Sequence, residues 1–166
     1  MSNPINTPAA TKTTPGQVDV RGPRFTAWVT SGVLAGVLLA SAISSALAAV
    51  LLGLQAAVFA VGAWGGPRRH PYGWVFRRLV SPRLGPVTAT EPVPPLKFAQ
   101  LVGLVFAVVG TAGFAAGIPG LGLAATGLAL VAALLNAAFG ICLGCQLYPL
   151  VARLRPGVSA DPLVAS

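Results

Sequence analysis

Residues 27–64 read AWVTSGVLAGVLLASAISSALAAVLLGLQAAVFAVGAW, which is 38 positions without a charged side chain. As one α-helix this run would be about 57 Å long, at about 1.5 Å per residue. The hydrocarbon core of a bilayer is about 30 Å thick and is crossed by about 20 helical residues. The run therefore predicts two membrane spans, about 26–44 and 46–64, with the turn in the serine cluster Ser41, Ser44 and Ser45.

A second run, residues 98–152, contains no Lys, Arg, Asp or Glu over 55 positions and is also too long for one span. The dipeptide Pro119-Gly120 predicts a turn inside it. We expect the third and fourth spans at about 98–117 and 121–148. A cleaved signal peptide does not account for these runs, because its apolar core is only about 7–15 residues long and a soluble chain follows it.

The composition agrees with this interpretation. Apolar residues make up 55% of the chain and charged residues 8%, whereas a soluble domain carries about 25% charged residues. We expect an all-α fold, an integral membrane four-helix bundle in which two tight transmembrane hairpins are joined by a basic cytoplasmic loop, residues 65–97. This membrane domain would cover residues 21–155, between a disordered cytoplasmic tail at 1–20 and a C-terminal tail at 156–166.

The eleven Lys and Arg residues fall in three segments: three before the first span, six in the loop 65–97 and two after the last span. With four spans these segments share one side of the membrane, and the positive-inside rule assigns that side to the cytoplasm. We expect a multi-pass protein of the cell (plasma) membrane with both termini cytoplasmic. The net charge of +8 does not indicate nucleic-acid binding, because the basic residues are not interleaved with aromatic ones as on a nucleic-acid-binding surface.

The loop 65–97 predicts one short amphipathic helix, Pro71 to Val80, that the proline-rich sequence EPVPP, residues 91–95, would separate from the third span. Trp74, Phe76 and Leu79 would lie in the membrane interface on this helix. The candidate contacts with lipid phosphates or with a partner protein are the loop arginines Arg68, Arg69, Arg77, Arg78 and Arg83. The alternative role of these arginines is to determine the topology alone.

The two cysteines of the chain, Cys142 and Cys145, are the candidate catalytic residues. They would lie at the cytoplasmic end of the fourth span, where a reducing thiol pool favours a dithiol or a transient bond over a permanent disulfide. Residues three apart on a helix have Cβ atoms about 5–6 Å apart, and a disulfide needs about 3.5–4.5 Å. Closure would therefore need a local distortion, for which Gly140 and Gly144 give freedom.

The end of a span is also the negative end of a helix dipole, which opposes a thiolate. A cation would have to compensate. Arg153 and Arg155 are near in sequence, and Arg77, Arg78 or His70 could approach from the loop. Gln146 and Tyr148 are candidate supporting residues for the thiols.

Three roles for the cysteine pair stay open: redox or sulfur-relay chemistry, half of a metal site, or packing in a helix. A structural zinc site takes four Cys or His ligands, and this chain supplies only Cys142, Cys145 and His70. We therefore predict neither a metal nor a cofactor.

Four segments together carry a resemblance to a known family: VDVRGPRF (18–25), HPYGWVFRRLVSPRLGP (70–86), PPLKFAQLVGLVF (94–106) and AAFGICLGCQLYPLVARL (137–154). The chain resembles the family catalogued as domain of unknown function 4395 over about residues 18–155. The resemblance implies a small integral membrane protein of bacterial, mostly actinobacterial, type. It also implies an association with thioredoxin-like or rhodanese-type proteins as cytoplasmic partners.

Three functions are compatible with these observations. The first is a thiol-active membrane protein whose Cys142 and Cys145 exchange electrons or pass a persulfide. The second is a non-catalytic scaffold or partner-binding subunit that acts through its basic, proline-rich loop. The third is a transporter of small sulfur compounds, which the absence of buried charges in the spans disfavours. The sequence does not indicate an oligomeric state.

Overall fold

The computed structural model describes residues 16–153. This part of the chain is largely helical, which confirms the expected all-α fold. Its regular elements are, in chain order, β1 Gln17–Asp19, α1 Arg21–Ser41, α2 Ser45–Gly65, α3 Pro71–Val75 with a π-helical turn Phe76–Val80 and a 3₁₀ turn Ser81–Arg83, β2 Thr90–Pro92, α4 Val93–Ala115, α5 Pro119–Leu134 with a π-helical turn Leu135–Phe139, and α6 Leu143–Arg153.

Four helices are long and apolar enough to cross a membrane: α1, α2, α4, and α5 together with its π-helical turn. Their outer faces expose large apolar side chains, of which Leu39, Val50 and Leu54 are each more than 60% exposed. Soluble monomers rarely expose contiguous apolar patches larger than a few hundred Å². The surface of the four helices is therefore compatible with contact to a lipid bilayer.

The turn between α1 and α2 falls in the predicted serine cluster, at residues 42–44. Ser44 is the N-cap of α2, and its Oγ accepts a hydrogen bond from the backbone N–H of Leu47 at 3.3 Å. The turn between α4 and α5 contains Gly117 at φ +73°. Pro119 then occupies the first turn of α5, where a missing N–H leaves no intrahelical bond unmade.

The proline-rich stretch 91–95 was expected to separate the loop helix from the third span, but it forms the beginning of that span. It begins α4 at Val93, with prolines in the first turn of the helix. The reason is that a proline lacks only a backbone N–H that has no intrahelical partner at this position.

The long helices pack around a buried apolar cluster that includes Leu34, Leu52 and Phe59. Small residues allow the close approach of α4 and α5, because a Cβ atom added to Gly113 would lie 2.7 Å from the backbone nitrogen of Gly122. These glycines therefore serve packing within the chain.

The connection between α2 and α4 folds over one end of the helices. β1 pairs with β2 in antiparallel register, with Val18 opposite Glu91. Arg21 anchors this end through an ion pair with Asp19 at 2.9 Å and through a hydrogen bond to the carbonyl of Gly85 at 3.2 Å. The expectation of a disordered tail at 1–20 is thus wrong for residues 16–20, while residues 1–15 and the predicted tail at 156–166 lie outside the described part of the chain.

The largest departure from the sequence-based prediction is in the fourth span. We expected one helix to about Tyr148, but α5 and its π-helical turn end at Phe139, and α6 is a separate helix that begins at Leu143. Gly140 makes the break because it adopts a left-handed conformation at φ +70°, which glycine enters at little cost.

Candidate thiol–disulfide site

The cysteine pair, Cys142 and Cys145, lies at the beginning of α6. The backbone N–H of Gln146 donates to the carbonyl of Cys142 at 3.0 Å, which is the first helical hydrogen bond of α6. The backbone N–H of Cys145 donates to Sγ of Cys142 at 3.3 Å. Cys142 is therefore the N-cap residue of α6, and its sulfur satisfies an amide that has no helical partner.

The two cysteines form a disulfide, with their Cα atoms 5.2 Å apart. Closure does need a local distortion, and the break at Gly140 supplies it by placing Cys142 outside the regular helix. The expectation that the helix dipole opposes a thiolate is wrong. The pair lies at the positive, N-terminal end of α6, where a dipole stabilises an anion by about 0.3–1 kcal/mol.

α6 is held against α4 at its first turn. A Cβ atom added to Gly144 would lie 2.6 Å from the Cα atom of Ala99, so the two backbones are in close contact. Further along α6, the ring of Tyr148 meets the ring of Phe98 edge-on, with centroids 6.0 Å apart. These contacts fix where the cysteine pair lies relative to the long helices.

The supporting residues suggested by the sequence are not grouped around the sulfur atoms. The side chain of Gln146 is exposed and only its backbone contacts Cys142. Tyr148 packs on Phe98. Arg153 is exposed at the far end of α6, eight residues or about 12 Å along the axis from Cys145. Arg155 lies outside the described residues.

A cation that the sequence did not single out lies against Gly140 instead. A Cβ atom added to Gly140 would be 2.6 Å from Nη2 of Arg24, so the guanidinium group covers the glycine two residues before Cys142. Arg24 is on the first turn of α1, far away in sequence. Only the packing of α1 beside the end of α5 brings the charge there.

Cys142 borders a cavity of about 640 Å³ that runs between α1, α4, α5 and the start of α6. Most of its wall is apolar, with Phe59, Phe106 and Leu128 among the lining side chains. The loop 65–97 and β1 close one end of it. We call this space the cavity.

Polar side chains with unmade hydrogen bonds lie at the loop end of the cavity. His70 is only 2% exposed, and neither of its ring nitrogens has a partner in the described structure. Gln100 borders the same cavity, and its Oε1 is also buried without a partner. The two side chains are neighbours, because a Cβ atom added to Gly62 would lie 2.6 Å from Cδ2 of His70 and 2.9 Å from Oε1 of Gln100.

Burial lowers the pKa of His70 to about 4, and Gln100 opposes this shift without making a hydrogen bond of normal geometry to the ring. His70 is therefore neutral near pH 7, with one ring nitrogen as donor and the other as acceptor. Its ring also meets Tyr72 edge-on at 5.2 Å. The hydroxyl group of Tyr72 donates a hydrogen bond to Oε1 of Gln55 at 2.8 Å. Burial raises the pKa of this hydroxyl group.

The loop arginines are all exposed, and the loop backbone or an aromatic ring holds several of them. The guanidinium of Arg77 donates to the carbonyl of Arg68 at 2.5 Å, and that of Arg83 donates to the carbonyl of Leu79. Arg78 lies over the ring of Trp74, 5.4 Å from its centroid. The structure records no such bond for Arg69, which packs against Gly65.

The helix Pro71–Val80 forms as predicted, with its second half as a π-helical turn. Trp74 and Leu79 are exposed, but Phe76 is buried and packs on Phe25 with ring centroids 5.6 Å apart. The expectation that Phe76 lies in a membrane interface is wrong. This residue instead attaches the loop to α1.

Among residues 16–153, no group of three or more His, Cys, Asp or Glu side chains is placed to hold a metal ion. The fold and site define a class: an all-α protein with four helices long enough to span a membrane and a cysteine pair at the start of the shorter helix α6, beside a cavity between the helices.

The chain belongs to the family described as a domain of unknown function (DUF4395), whose model matches residues 18–153. The resemblance noted in the sequence is thereby confirmed. Among curated proteins and among solved structures, none shows significant similarity to this chain.

Proposed function

We propose that the protein is a multi-pass membrane protein that exchanges electrons through Cys142 and Cys145. The observation that carries this proposal is the position of the pair. Cys142 is the N-cap of α6, its sulfur accepts a hydrogen bond from the backbone N–H of Cys145, and it borders the cavity. Cysteines at helix N-termini and beside cations have an increased thiolate fraction, which is the form that attacks disulfides.

The proposed location is the cell membrane, with the cysteine pair at the cytoplasmic face. The distribution of Lys and Arg supports this orientation: they lie before α1 and in its first turn, between α2 and the first turns of α4, and at or just after the end of α6 in the sequence, while the two hairpin turns carry none. A cytoplasmic thioredoxin-like dithiol protein is the partner that fits such a pair. One partner thiolate attacks the Cys142–Cys145 disulfide and forms a mixed disulfide. The second partner thiol then releases it, so that the partner is oxidised and the pair is reduced.

A persulfide relay with a rhodanese-type partner would use the same cysteines, and mass analysis of the protein distinguishes it by one added sulfur atom. The scaffold alternative receives less support, since Arg77 and Arg83 are engaged with the loop backbone. Residues of the loop also line the cavity that Cys142 borders. The loop is therefore part of the proposed site and not a separate docking surface.

The test is a redox titration of the purified protein in detergent, over a range of reduced to oxidised glutathione ratios. Free thiols are then tagged with a heavy maleimide and read as a gel shift. We expect one reversible transition in which two thiols appear together in the native protein. Cys142→Ser and Cys145→Ser should each leave one thiol without this paired transition. A pair that stays oxidised at every ratio would be a structural disulfide and would overturn the proposal.

A further inference from the structure

The chemistry of the cavity shows what kind of molecule it accepts. Its volume of about 640 Å³ lies within the range of about 300–1,000 Å³ of small-molecule sites, which are mostly apolar with a few placed polar groups. The wall combines apolar helix side chains with His70 and Gln100 at the loop end, and it includes Cys142. The first turn of α6 brings Cys142 to this part of α4, because Gly144 is in close contact with Ala99, the residue before Gln100. A ligand with a long apolar body and a small polar head matches this distribution.

The polar side chains at the loop end of the cavity favour a ligand whose head is uncharged. His70 is neutral near pH 7, and Arg68 and Arg77, which border the cavity at the loop, are exposed. The carboxylate of Asp19 on the same wall is already paired with Arg21. Among residues 16–153, no side chain thus places an unpaired charge inside the cavity that could bind an anion or a cation.

The unpartnered polar atoms specify the head further. A buried polar group without a hydrogen-bond partner destabilises the protein, so a ligand that pairs with His70 and Gln100 would be favoured. Neutral His70 supplies one donor and one acceptor, and Oε1 of Gln100 is a second acceptor. A quinone carbonyl accepts from the His70 donor, and a quinol hydroxyl donates to His70 or to Gln100. The same atoms therefore satisfy both redox states of one molecule.

We infer that the cavity binds the head of a lipid-soluble quinone, which oxidises the reduced Cys142–Cys145 pair. This inference rests on the proposed function and names the second redox partner. The step is balanced: the thiolate of Cys142, which borders the cavity, adds to a ring carbon of the quinone. The thiolate of Cys145 then attacks Sγ of Cys142, the S–S bond forms and the C–S bond breaks. The electron pair of the broken bond stays on the ring, and the two protons of the dithiol complete the quinol.

The experiment mixes the reduced, detergent-solubilised protein with a short-chain benzoquinone in the absence of oxygen. Loss of the quinone absorbance is followed by stopped flow, and disulfide is counted by maleimide labelling. We expect one quinol per disulfide and a rate that saturates with quinone concentration. In Cys145→Ser the adduct cannot be resolved, so mass spectrometry of the intact protein should find a quinone attached to Cys142.

Two variants test the cavity itself. Gln100→Leu removes one head contact, and Ala132→Phe fills the cavity, which Ala132 borders; each should slow the saturating reaction at least tenfold. Thr111→Val is the matched control, because Oγ1 of Thr111 is also buried without a partner but does not border the cavity. Its rate should equal that of the native protein.

The glutathione titration separates the two levels of the proposal. A normal two-thiol transition together with a quinone rate that is linear in concentration, and equal in native protein and Ala132→Phe, would overturn the quinone site and leave the thiol exchange function standing. A failed titration in the native protein would overturn both. A normal titration of Ala132→Phe and of Gln100→Leu shows that these variants are folded around an intact pair.

Discussion

At the scale of single residues, the proposed reactivity of the cysteine pair rests on two sources of positive potential. The first is the N-terminus of α6. Cys142 caps it, because its carbonyl accepts a hydrogen bond from the N–H of Gln146 and its Sγ accepts one from the N–H of Cys145. The second is the guanidinium of Arg24 over Gly140. Arg24 is exposed, and exposed charge pairs contribute only about 0.2–1 kcal/mol. Its contribution should therefore be measurable but modest.

Replacing Arg24 by Gln should slow alkylation of the reduced Cys142 by iodoacetamide at pH 7 by about two- to fivefold, which corresponds to a loss of about 0.5–1 kcal/mol of thiolate stabilisation. The reaction is measured in a Cys145→Ser background so that only one thiol reacts. Arg78→Gln removes an equal charge that lies over Trp74, and it should leave the rate unchanged. Equal slowing in both variants would mean that only the net charge matters.

His70 should make the stability of the protein pH-dependent. Its pKa is 6.5 when exposed and about 4 in the folded protein, because burial disfavours the charged ring. Between these values the unfolded chain binds a proton that the folded protein does not. The free energy of unfolding is therefore unaffected by His70 above about pH 6.5. It falls as the pH decreases towards 4, by about 3 kcal/mol in total.

The measurement is chemical unfolding in detergent between pH 4 and 7, for the native protein and for His70→Gln. The variant should lose less stability over this range than the native protein does. Glu91 contributes with the opposite sign, since burial raises its pKa, so the difference between the two proteins is the relevant quantity. Parallel stability curves would show that His70 is not responsible.

Single residues also mark the limit of what the sequence predicts about the site. The spacing of Cys142 and Cys145 pointed to the pair, and the prolines around the lone His70 marked a special loop. The contact of Arg24 with the end of α5 was not predictable, because it joins residues more than 100 positions apart. Nothing in the local sequence of either segment encodes that proximity.

At the scale of elements, the break between α5 and α6 determines the chemistry of the site. If residues 121–148 were one helix, the cysteines would lie near its negative end and on a regular face. The left-handed Gly140 instead ends the π-helical turn through a hydrogen bond from its N–H to the carbonyl of Asn136 at 3.0 Å. The next residues then start a new helix with its positive end at Cys142.

Gly140→Ala should therefore reduce the free energy of unfolding by about 1–2 kcal/mol, because a Cβ atom is disfavoured in the left-handed conformation and would also collide with Arg24. Gly127→Ala is the control: it lies within α5, and nothing is within 4 Å of an added Cβ atom. That substitution should be neutral or stabilise by up to about 1 kcal/mol. An unfolding free energy for Gly140→Ala equal to or above that of Gly127→Ala would contradict the break at this glycine.

The four long helices were predictable because uncharged runs of 38 and 55 residues fix their number and approximate place. The two hairpin turns were predictable because Ser44 and Pro119 carry local capping signals. The break at Gly140 was missed, since an apolar sequence continues on both sides of it. The pairing of β1 with β2 was missed as well, because three-residue strands show no periodicity and their partners are about 70 residues apart.

At the scale of the whole molecule, the features that bear on function meet at one end. The start of α1, the loop 65–97, the start of α4 and Cys142 all border the cavity. The opposite end consists of two short turns, residues 42–44 and 116–118. The protein is thus asymmetric along the axis of its long helices. In the proposed membrane topology, the side on which the loop lies decides which thiol pool reaches the pair.

That side can be determined by labelling in a background in which both cysteines are replaced by serine. Ala42→Cys introduces one exposed thiol in the first hairpin turn, and Thr88→Cys introduces one in the loop. A membrane-impermeant maleimide applied to intact cells should label Ala42→Cys and should reach Thr88→Cys only after permeabilisation, because the basic segments are retained on the cytoplasmic side. The opposite pattern would place Cys142 and Cys145 on the oxidising side, where a thioredoxin-like cytoplasmic partner cannot reach them. The two introduced thiols control for each other, since one of them must stay unlabelled in intact cells whichever orientation is correct.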